Sequence, residues 1–153
     1  MPASRTRRAP WEDRFSQPTE AEVLAHYPRQ LLCCANAARK ALQSRLGARE
    51  SLQWKGIPWR WTFVYTRPNS AFEAYLVPIP TAPRLVLTVP AGEALPYLDR
   101  HTPRTIRDAF VSAVRVGPNL WPGWDLTLRA QVDEIAEFLD RVASADFAEA
   151  SVA

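Results

Sequence analysis

The chain has 153 residues, 47% hydrophobic and 23% charged, with a formal net charge of +3. That length and balance fit a single globular domain whose interior is large enough to fold without disulfide or metal staples. No apolar run reaches the roughly 18 residues of a membrane-spanning helix, and no apolar stretch follows the early arginines as it does in a secretory signal, so the expected setting is the cytoplasm, with no membrane partner.

The charge is unevenly placed. Residues 1–17 hold Arg5, Arg7, Arg8 and Arg14 against Glu12 and Asp13, and the remainder is almost balanced. The start therefore reads as a disordered basic tail. The near-neutral body lacks the concentrated basic face of a nucleic-acid-binding surface, and none is expected.

In chain order, "PTEAE" opens a helix, with Thr19 and Glu22 spaced as a capping box. Pro28 ends that helix or sits at the first position of the next. From there Leu31, Ala35, Ala38, Leu42 and Leu46 form an amphipathic stripe, and Gly47 caps its end. Cys33 and Cys34 lie within this pattern. As neighbours on a helix they cannot bridge distant parts of the chain, and they read as small packing residues.

The period then changes from helical to alternating. "ESLQWK" is a short strand, "GIP" a turn, and from Trp59 the side chains alternate. Trp59, Trp61, Phe63 and Tyr65 are expected on one face, and Arg60, Thr62, Val64 and Thr66 on the other. "AFEAYLVPI" and "RLVLTV" give a third and fourth strand joined by Pro-containing turns. Short turns between consecutive strands imply an antiparallel meander. Helical character returns near Gly92. Thr102 followed by Pro103 marks the start of a helix through Ile106 and Phe110. "VGPNLWPGWDLTL" reads as a loop leading into a last strand, "WDLTL". Val132, Ile135, Phe138, Leu139 and Val142 give one apolar face to a closing helix. The expected fold is α+β: a largely antiparallel meander of four to five strands with helices before and after it, in a single domain over 18–143, with a flexible tail at 144–153.

Both faces of this sheet are apolar. Phe72, Ala74 and Leu76 oppose Tyr75, Val77 and Ile79, and Leu85, Leu87 and Val89 oppose Val86 and Thr88. One helical layer covers one face, so the second needs the closing helices, a second copy of the chain or a ligand. Phe63 reads as core. Trp59 and Trp61, at the strand's start, are candidates for a cleft wall, since tryptophan is seldom fully buried and carries an N–H to satisfy. With Tyr75 and the loop residue Trp121 they outline an aromatic cleft, in which Glu73 or Arg60 supplies the polar contact. Rings with one acid suit a cationic or flat aromatic ligand.

No recognisable catalytic motif accompanies these residues. His26 and His101 are the only histidines, no metal-ligand spacing is present, and five scattered glycines form no phosphate loop. No catalytic residue, metal or cofactor is assigned. The first reading is a non-catalytic small-ligand-binding domain. The alternatives are a protein-interaction or homodimerisation module using the second sheet face, and an enzyme drawing on Glu73, His101 or Cys33.

"LQWKGIPWRWTFVY", "AYLVPI" and "GWDLTLRAQVDEIAEFLDRV" together resemble bacterial proteins of unknown function with a YdhG-like α+β domain. The resemblance spans roughly residues 20–143. It implies a small cytoplasmic domain with a curved antiparallel sheet and packed helices, and it carries over no functional residues.

Overall fold

A computed structural model describes residues 13–56, 59–68, 70, 72–91, 98 and 100–152. Most of the basic tail, the Gly92 and Pro96 positions and the Ile57–Pro58 part of the first turn lie outside the described residues. Residues 13–18 lie across the start of the sheet, where the Asp13 carbonyl accepts the Trp61 indole N–H at 2.5 Å.

Helix α1, Glu20–Leu24, is capped as its spacing predicts: Thr19 Oγ1 accepts the Glu22 N–H at 3.2 Å. Helix α2, Arg29–Arg45, follows with Pro28 just outside it as N-cap. Gly47, at φ 63°, takes the left-handed conformation that ends the helix at little steric cost.

Four strands then form the expected meander: β1 (Arg49–Trp54), β2 (Trp61–Thr66), β3 (Glu73–Val77) and β4 (Arg84–Pro90), each antiparallel to the one before. Helix α3 is Arg104–Val111, and Pro103 rather than Thr102 is its N-cap. Thr102 is instead buried and accepts from Arg141 Nη1 at 3.3 Å. Helix α4, Arg129–Val152, closes the chain.

The segment between α3 and α4 differs from its reading as loop then strand. It forms three short strands, β5 (Val114–Val116), β6 (Asn119–Trp121) and β7 (Gly123–Asp125), giving seven in all. β5 and β6 make a hairpin in which Val116 opposes Asn119 across Gly117–Pro118. Gly117 has φ 58°, and a glycine first in the turn suits a tight two-residue hairpin. β6 and β7 both pair with β4 in one continuous register, Val89 with Leu120 and Val86 with Gly123. They act as one strand broken at Pro122, which has no N–H to give; its carbonyl still accepts from Leu87 at 3.0 Å. Residues 126–128, the end of the predicted "WDLTL" strand, lie outside the ladder.

The main core lies between the helices and one sheet face. It contains Phe63, Tyr65, Ala74, Leu76, Leu85, Leu87 and Trp124 from the strands, and Val23, Leu42, Ile106, Ile135 and Leu139 from the four helices. Within it sits a half-buried ionic cluster. Glu50 accepts two bonds from Arg39, at 2.7 and 3.0 Å, one from Tyr65 at 2.6 Å and one from Gln43 at 3.0 Å. The Arg39 guanidinium also lies 4.9 Å from the Phe63 ring centre. Burial alone would push the Glu50 carboxyl upward, but the bonds from Arg39, Tyr65 and Gln43 and the Arg39 charge outweigh it and hold it below the usual range. Burial, then the Glu50 carboxylate, pushes the Tyr65 phenol far up.

Because Glu50 is more acidic folded than unfolded, its contribution to stability is complete above the unfolded pKa of roughly 4.3 and is lost as pH falls through the lower folded value. Glu50→Gln is expected to destabilise the domain by about 2–4 kcal/mol at neutral pH and to shallow the loss of stability below about pH 4.3. Urea melts of both proteins across the acid range check this.

Candidate functional site

The second sheet face is built by register. Opposed residues place Val64, Tyr75, Val86 and Gly123 in one row and Thr66, Glu73 and Thr88 in the next. The continuous pairing of β4 with β6 and β7 sets Trp121 beside Thr88, on this same face. Val64, Tyr75, Val77 and Val86 form a second buried cluster, separate from the main core, with Trp59, Ile79 and Trp121 packed on it. No helical residue joins this cluster among the described residues. The closing helices, expected as one cover for this face, pack on the other.

Trp59 reaches the second face through a break in the strand pattern. The Lys55 N–H donates to the Arg60 carbonyl at 2.8 Å, extending the β1–β2 hairpin by one bond, and the Arg60 N–H donates back to Gly56 at 2.5 Å. Arg60 has φ 58°, the one non-glycine residue with a positive φ among those described. A left-handed residue ends the two-residue alternation. Trp59 and Trp61 therefore face opposite sides of the sheet, correcting the expectation that four rings share one face. Trp61 is 7% exposed, in the main core, and meets Trp54 edge-on at 5.9 Å. It belongs to the fold and takes no part in the aromatic cleft.

Three of the predicted rings do converge. Ring centres lie 5.2 Å apart for Trp59 and Tyr75, 5.9 Å for Trp59 and Trp121, and 5.7 Å for Tyr75 and Trp121, the last pair stacked. Tyr75 is the buried floor, and Trp59 and Trp121 are half-buried. Glu73 lies beside them, held through its backbone by Thr88 and through its carboxylate by the Tyr75 hydroxyl. Burial, then that carboxylate, pushes the Tyr75 phenol well above the ordinary tyrosine range. Arg60 shapes the turn with its backbone. Sequence reasoning missed Lys55, whose Nζ stands 5.4 Å from the Tyr75 ring centre. Its alternation with Gln53 places it on this face.

The groups weighed for catalysis do not meet. Cys33 is exposed on α2, where its Sγ accepts from Arg129 at 3.7 Å, and Cys34 is buried. Cys33 thus stands on the helical side of the sheet, opposite Glu73. His101 is exposed just before α3 and accepts from Arg100 at 3.4 Å. Among the described residues no group of three or more His, Cys, Asp or Glu could hold a metal ion, and no helix is long and apolar enough to cross a membrane. Depressions of 450 and 360 Å³ run along α2 and share Asn36 and Arg39. Neither includes a residue of the aromatic face.

No protein-family model, curated protein or solved structure matches the chain.

The two faces predict different costs for similar substitutions. Trp61→Ala is expected to destabilise by about 3–5 kcal/mol, as for other buried aromatic truncations, and Trp59→Ala by only about 1–2 kcal/mol. Equal losses in denaturant melts would place Trp59 in the core after all.

Proposed function

We propose that the chain is a non-catalytic small-ligand-binding domain whose site is the aromatic face of Trp59, Tyr75 and Trp121, flanked by Lys55 and Glu73. The observation that carries this reading is the convergence of three rings, from three separate segments, on the sheet face away from the helices. Two of the rings keep surface toward solvent although the domain already has a complete core elsewhere. Half-buried rings packed on a buried one, beside charged groups, suit a ring-bearing ligand. The free thiols of Cys33 and Cys34 fit a reducing compartment such as the cytoplasm. The YdhG-like relationship is part of this proposal, rests on the quoted motifs, and adds no site residue.

A ligand present at about 100 times its dissociation constant adds about 2.7 kcal/mol, which raises the melting temperature of a domain this size by roughly 5–11 °C. A thermal-shift screen with ring-bearing metabolites is expected to give a saturable rise that Trp121→Ala abolishes and Trp54→Phe retains. A rise that survives Trp121→Ala places binding elsewhere.

A second reading, a homodimer or protein-interaction module using this sheet face, draws support from its β5 margin. β5 is an edge strand whose Val114, opposite Trp121, and Val116 are 67% and 46% exposed, and Val111 at the end of α3 is 86% exposed. Open apolar edges pair with other strands unless something blocks them. On this reading sedimentation shows a concentration-dependent dimer that Val114→Lys dissolves; a monomer at every concentration removes it.

A further inference from the structure

The charges around the three rings narrow the ligand class. The acid beside the rings, Glu73, is engaged, since its carboxylate accepts the Tyr75 hydroxyl and its backbone is tied to Thr88, and Asp125, farther along the same sheet face, is paired with Arg84 at 3.0 Å. The base is not so engaged. Lys55 is exposed, its ammonium lies over the Tyr75 ring, and it has no acidic partner among the described residues. A lysine over a tyrosine face gains a modest cation–π attraction and keeps its capacity to bind an anion. The hydrogen bonding at the face points the same way. The Trp121 indole N–H is buried and has no acceptor among the described residues. An unsatisfied buried donor costs on the order of 1–3 kcal/mol, and its partner must be an acceptor.

Resting on the binding reading above, we infer that the aromatic face takes a planar aromatic carboxylate. The ligand ring stacks on Tyr75 and Trp121 in the position Trp59 now holds, and the carboxylate accepts from the Trp121 N–H and the Lys55 ammonium. Trp59 is the ring that yields, because it sits on the connection between β1 and β2, whereas Tyr75 and Trp121 are fixed in the ladder. A cationic ligand is disfavoured because the exposed Lys55 ammonium, over the Tyr75 ring, repels it.

Three probes sharing one ring system separate these terms: a naphthoate, the neutral naphthylmethanol and the naphthylmethylammonium, titrated calorimetrically into the full chain. The naphthoate is expected to bind about tenfold more tightly than the alcohol, the gain from one added charge-assisted contact, and the ammonium more weakly than either. Lys55→Gln should bring naphthoate down to the affinity of the alcohol, and Lys55→Arg should restore the difference. Trp121→Phe should keep the stacking and lose part of the carboxylate preference. Since Lys55 is on the surface, its variants fold. Equal binding of all three probes, or tightest binding of the ammonium, overturns the carboxylate assignment and leaves the binding reading standing. No binding by any probe overturns both.

Discussion

The arrangement depends on one imbalance: a sheet with two apolar faces and helices on one. The helical face solves its packing in a conventional way, with aliphatic stripes laid across alternating strand residues. The other face has no helix among the described residues and is closed by large rings brought from its edges, one from the β1–β2 connection and one from β6. Rings suit that task because each covers a large area with few rotatable bonds, and they leave a surface that is apolar yet partly open.

Two local backbone features allow this. The left-handed residue at Arg60 turns Trp59 to the face opposite Trp61, so two tryptophans a dipeptide apart serve different structures. Pro122 interrupts the outer strand without shifting its register, so Trp121 still reaches the second face while Trp124 reaches the first, where its indole N–H donates to the Thr105 carbonyl at 3.0 Å. The "LWPGW" cluster is thus divided between the faces in the same way as "WRW".

Much of the fold was legible because its signals are local. The Thr19 cap, the stripe of α2 ending at Gly47, the β1–β4 meander and the buried face of α4 follow from spacing alone. What was hidden depends on single backbone torsions and on partners distant in sequence. Nothing about an arginine announces a positive φ, so strict alternation carried back past Arg60 puts Trp59 on the wrong face, while Trp61 shares the core face with Phe63 and Tyr65 as its spacing implies. The Gly and Pro residues of 117–122 have the composition of a loop, although here they make a hairpin turn and a break within a paired strand. For the candidate site, the rings Trp59, Tyr75 and Trp121 were readable as a group. Lys55 was not, because its role appears only once the hairpin register is known. The Arg39–Glu50–Tyr65 cluster was equally invisible, since it joins a helix to two strands through side chains alone.

The late position of Asn119–Asp125 in the chain bears on how the protein emerges from synthesis. The meander can zip up from neighbouring hairpins as soon as residues 49–90 are made, but β4 then presents a bare edge, and Val64, Tyr75, Val77 and Val86 lack the Trp121 ring that helps cover them. Both remain open until some thirty further residues have been added, an interval in which unpaired edges and uncovered apolar faces favour aggregation. The strand that completes the aromatic face is therefore also the one that ends the nascent chain's exposure, so truncations before residue 125 should be held by chaperones where the full chain is released.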